Sequence, residues 1–94
     1  MSDDNIRELV FCKNEDISFE KFDDLYISTI EATNRVYVLN ETCMFIINKA
    51  KSIFTFDDTV EILLKEYDVE ENEAEQDSIS ILKHLLEIEV IWTA

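Results

Sequence analysis

The chain contains no glycine and no proline in 94 residues. Average usage is roughly 7 % and 5 %, so every tight turn must be made by other residues. Asparagine, aspartate and serine tolerate the left-handed backbone best after glycine. Asn34, Asn48 and Asn72 are the best candidates for that conformation, with Ser52 a weaker one. The same gap excludes glycine-rich loops that cradle phosphates, because those need the backbone close to the ligand.

The length suits one domain, residues 1–94, and favours a surface groove over a deep active site. Apolar residues make up 47 % of the chain, enough for a packed core. Eight basic residues against 22 acidic give a formal charge of −14. So much negative charge repels a phosphate backbone and disfavours generic nucleic-acid binding. The longest uninterrupted apolar run is Cys43 to Ile47, far short of the ~20 residues that span a bilayer. The opening MSDDNIRE lacks the pattern of a signal peptide. A cytoplasmic protein without membrane attachment is expected, with residues 1–8 loose.

Residues 9–12 read as a short strand, and residues 13–24 as a mostly charged connection. Leu25 to Glu31 is rich in β-branched and aromatic residues and predicts a strand. Ala32 to Asn34 forms the turn of a hairpin, and Arg35 to Leu39 the return strand. The period then changes. Asn40 caps a helix that runs to about Ala50 and carries Cys43, Met44, Phe45, Ile46 and Ile47, apolar nearly all round and so buried. Thr55 and Asp58 form a capping box with Asp in place of the usual Glu. Phe56, Val60, Leu63, Leu64 and Tyr67 then fall on one face of a second helix. A third helix starts near Glu70 or Glu71 and ends near Ile88. Six acids within residues 68–77 suit its N-terminus, where the helix dipole favours negative charge. Val90 to Trp92 adds a short strand or an apolar tail. The expected class is α+β, with a three-stranded antiparallel sheet followed by three helices.

On a wheel of ~100° per residue, Ile81, Leu85 and Ile88 form one shoulder of the third helix. Ile79, Leu82 and Leu86 form the other, and Ser78 and Glu89 lie between. Either both shoulders are core or one lines a groove; the spacing alone leaves this open. A three-stranded sheet has open edges, and an open edge offers amides and carbonyls to an extended peptide. Whether the chain itself covers the edge of Arg35–Leu39 is also left open.

Chemistry finds little purchase. His84 stands alone, without partners at ligand spacing, so no metal site is expected. Cys12 and Cys43 are neither a disulfide framework nor a C-x-x-C pair, and Cys43 reads as a small core residue. No Ser–His–acid set or acid–base pair can be argued. Only 16 residues follow Ser78, too few for the helices a carrier domain places after its serine. Neither a cofactor nor a catalytic residue is expected.

The stretch from Val36 to Ile91, about 60 % of the chain, resembles the PqqD family, named for the pyrroloquinoline quinone biosynthesis protein D. The carrying residues are VYVLNETCMFII (36–47), Thr55, and VEILLKEYDVEENEAEQDSISILKHLLEIEVI (60–91). Leu39, Asn40, Glu41, Thr42, Thr55, Tyr67, Asp68, Val69, Asp77, Leu82 and Leu85 fill the family pattern without a gap. Ser52 and Glu89 depart from it, standing where the family usually has glycine. The resemblance implies a winged helix-turn-helix-like domain that recognises peptide rather than DNA. It implies that a precursor's leader lies along Arg35, Val36, Tyr37, Val38 and Leu39 and against Ser78, Ile81, Leu82 and Leu85. Ile88, where the family is usually polar, extends that surface. The partners implied are the leader of a ribosomally made precursor peptide and its maturation enzyme, a radical S-adenosylmethionine protein, a cyclase or a leader protease. The length fits the free-standing form of the family. The competing expectation is a winged-helix regulator that binds DNA or a transcription protein. Charge counts against it, since residues 70–89 hold Lys83 against seven acids.

Overall fold

The computed structural model describes residues 3–94, with side chains from residue 5 onward. Its elements in chain order are α1 (Asp3–Ile6), β1 (Val10–Lys13), β2 (Ile17–Phe22), β3 (Leu25–Ile30), β4 (Arg35–Leu39), α2 (Glu41–Lys49), β5 (Ile53–Thr55), α3 (Phe56–Glu66), α4 (Glu71–Glu87) and β6 (Ile91–Thr93). They form two small antiparallel sheets, ordered β2-β3-β4 and β5-β1-β6. The α+β class and the three-stranded sheet with three helices are as the sequence predicts.

The strand membership differs from expectation. Residues 13–24 are no mere connection, because Ile17–Phe22 is the first strand of the main sheet. Its alternation was obscured because its inward positions are Ile17, Phe19 and Lys21 while its outward positions include Phe22. The strand near residues 9–12 belongs instead to the second sheet, between β5 and the C-terminal β6. Residues 1–2 of the segment expected to be loose lie outside the described residues. Residues 3–6 form one helical turn, and Ile6 is fully buried. Arg7 follows it, pairing with Glu75 at 2.7 Å and stacking over the ring of Phe56.

The helices start where their caps dictate. The Cys43 amide donates to Asn40 Oδ1 at 2.8 Å, and α2 begins there. At α3 the capping box is complete: the Asp58 amide donates to Thr55 Oγ1 at 3.3 Å, and the Thr55 amide donates to Asp58 Oδ2 at 2.9 Å. α4 has no side-chain cap, but Glu71 and Glu73 occupy its first turn, opposite its orphan amides. Leu39, Ile46, Leu82, Leu85 and Ile91 meet in one core that the helices share with both sheets.

Asn34 is left-handed, as its turn requires, with φ 55°. Asn48 and Asn72 are not, because each is absorbed into a helix. Ser52 also avoids that region. Asp23 in the two-residue β2–β3 turn and Glu89 after α4 adopt it instead, at φ 57° and 61°.

Candidate functional site

β4 is an edge strand. Its register runs Tyr26–Leu39, Ile27–Val38, Ser28–Tyr37, Thr29–Val36 and Ile30–Arg35, all with β3. Among the described residues no strand pairs with its other side. The Ser28 hydroxyl donates to the Tyr37 carbonyl at 3.2 Å and ties β4 to its one neighbour. The free side leaves alternate amides and carbonyls available to an extended segment.

α4 frames this edge. At one end, Arg35 at the start of β4 lies 4.0 Å from the Glu89 carboxylate just past α4. At the other, Thr42, three residues beyond β4, and Asp77 of α4 line one cleft. The two elements therefore run antiparallel, and they do not pack closely along their length. The cleft has a volume of about 140 Å³ and is completed by Leu63, Tyr67 and Val69. Phe45 holds Tyr67 there through an edge-on ring contact at 5.9 Å.

The candidate residues fall into two sets. Arg35, Val36 and Val38 are exposed, Tyr37 and Ile81 are half-buried, and Leu39, Ser78, Leu82, Leu85 and Ile88 are buried. On α4, Ala74, Ser78, Leu82 and Leu85 form the centre of the buried arc, with Ile81 and Leu86 half-open on its two flanks. Both shoulders are thus mostly core, and Ile81 is the member of the helical set with apolar surface to offer. The Ser78 hydroxyl is fully buried with no hydrogen-bond partner among the described residues. The sequence reading named no cleft at Thr42, although Thr42, Tyr67, Val69 and Asp77 all belong to the family pattern. Only the fold brings these distant positions together.

Burial pushes the Cys43 thiol up, against a smaller lowering by a hydrogen bond with the Asn40 backbone, so the thiolate nucleophile is disfavoured. His84 is exposed. Among the described residues no group of three or more metal-ligating side chains converges. Two wider clefts, about 320 and 340 Å³, open around Lys49, Ile62 and Lys65 and include no residue of β4 or α4. Among the described residues no helix is long and apolar enough to cross a membrane.

Two solved structures share this fold. One is TbiB1 in complex with the TbiA(beta) leader peptide, 17 % identical, covering 85 % of this chain and 93 % of that one with a TM-score of 0.66. The other is a lasso peptide synthetase B1 complexed with the leader peptide, 22 % identical, covering 87 % and 96 % with a TM-score of 0.66. No curated protein matches the chain. The family model described as coenzyme PQQ synthesis protein D matches residues 26–91, the span that holds all but the first residue of β3, together with β4, the three long helices and the cleft between them, and the chain belongs to the PqqD family.

Proposed function

We propose that this chain binds the leader segment of a ribosomally made precursor peptide and presents it to a modifying enzyme, without catalysing the modification. The observation that carries the reading is the unpaired edge of β4 lying beside α4. A leader strand added there gains main-chain hydrogen bonds along Arg35–Leu39. Specificity comes from the side chains it sets against Tyr37 and Ile81 and into the cleft at Thr42, Tyr67 and Asp77. Leu82, Leu85, Ser78 and Ile88 act from beneath, by fixing the helix against which the guest lies. The complexes of the two related folds with leader peptides support this reading, as does the acidic exposed side of α4, which disfavours a DNA backbone.

The test is titration calorimetry with the leader of the cognate precursor. Wild type should bind, and Ile81→Asp should weaken binding by about 2–3 kcal/mol, the loss expected of a buried anchor. Circular dichroism of Ile81→Asp should match wild type, because Ile81 lies on the flank of the core. The reading fails if the wild-type chain does not bind the leader, or if a folded Ile81→Asp binds it equally well.

A further inference from the structure

The register of β2-β3-β4 sorts its side chains onto two faces. One packs on the core through Tyr26, Tyr37 and Leu39. The other carries Phe22, Leu25, Ile27, Val36 and Val38. Phe22 is 68 % exposed, Val36 58 %, Val38 55 % and Leu25 49 %, so four of the eight large apolar side chains exposed among the described residues share this face. Solvent-facing strand positions are ordinarily polar. A contiguous apolar patch on so acidic a chain marks an interaction surface rather than scatter.

We infer that this outer face docks the enzyme that modifies the precursor; the inference rests on the leader-binding reading. Val36 and Val38 stand on the edge strand itself. A guest paired with β4 directs every second side chain onto the same outer face, so sheet and leader form one four-stranded surface. An enzyme covering it touches adaptor and substrate together. A second copy is the poorer occupant, because two chains of net charge −14 repel. Glu20 on the face and Asp23, Asp24 and Glu31 at its turns surround the apolar centre with carboxylates. The partner surface is therefore apolar at its middle and rimmed with lysine and arginine.

The experiment uses the full chain, the cognate leader and the purified enzyme that modifies that precursor. The double variant Phe22→Ser with Leu25→Ser changes the face away from the β4 edge. It should leave leader affinity within about twofold and weaken enzyme binding by about tenfold or more in biolayer interferometry, as loss of central apolar anchors does. Leader-loaded wild type should bind the enzyme about fivefold more tightly than the leader-free chain, the lower range of coupling between linked sites. A folded double variant that holds the enzyme as tightly as wild type overturns the inference while leaving leader binding intact. So does sedimentation showing a wild-type dimer that the variant dissolves, which would place a second copy on the face. Absence of leader binding by wild type instead defeats the reading on which the inference rests.

Discussion

At the residue scale, Glu89 shows what the absence of glycine costs this chain. The end of α4 is a Schellman turn: the Val90 amide donates to the Leu85 carbonyl at 2.9 Å and the Glu89 amide to the Leu86 carbonyl at 3.1 Å. That motif requires a left-handed residue, and Glu89 supplies it at φ 61°. A side chain in that region costs about 1–2 kcal/mol that glycine avoids. The turn persists because the Asn14 side-chain amide donates to the Glu89 carbonyl at 2.9 Å and the Asn14 backbone amide to the Val90 carbonyl at 3.0 Å. Leu85 and Val90 are buried beneath it. Glu89→Gly should therefore stabilise the fold by about 1 kcal/mol after the larger unfolded-state entropy of glycine is subtracted. The contact with Arg35 is exposed and contributes little. The check is thermal unfolding, where the midpoint should rise by roughly 4–8 °C; an unchanged midpoint would mean that the turn stores no strain.

At the element scale, α3 depends on a cap that both partners make. Thr55→Ala removes the hydroxyl that accepts from Asp58 and also frees the Asp58 carboxylate from its reciprocal position. The expected loss is about 1 kcal/mol, read as a lower urea midpoint with an unchanged slope. Because the two bonds form one box, Asp58→Ala should cost a similar amount and the double variant less than the sum. α4 shows a different dependence. Leu82 and Leu85 are fully buried, and truncating either to alanine should cost about 2–5 kcal/mol. Loss of peptide binding in such variants would report on the core rather than on the site, which is why Ile81 is the informative position.

At the scale of the whole molecule, charge sets both behaviour and partners. A net charge of −14 on 94 residues strains the compact state by self-repulsion. Raising sodium chloride from about 0.01 M to about 0.15 M shortens the screening length from roughly 30 Å to 8 Å. The melting midpoint should rise with it, and a flat or falling midpoint would show that the acids are locally compensated. The same charge leaves β4 an edge that other copies approach poorly, so the strand stays available to a guest.

The sequence by itself determined the elements held by near neighbours. Asn40, Thr55 and Asp58 place the starts of α2 and α3, apolar periodicity gives the helices their buried sides, and Asn34 closes the β3–β4 hairpin. These depend on contacts only a few residues apart, so they are legible along the chain. The tertiary structure alone decided the rest. It sent β1 to pair with β5 and β6, made β2 part of the main sheet, and put the left-handed strain on Glu89 rather than on Asn48 or Asn72. It also brought Thr42, Tyr67 and Asp77 together beside a free strand edge and buried all but Ile81's side of the candidate helical surface. Strand partners and exposure depend on which distant segments close over one another. Local preference can fix where a helix starts, but not which of its flanks another part of the chain will cover.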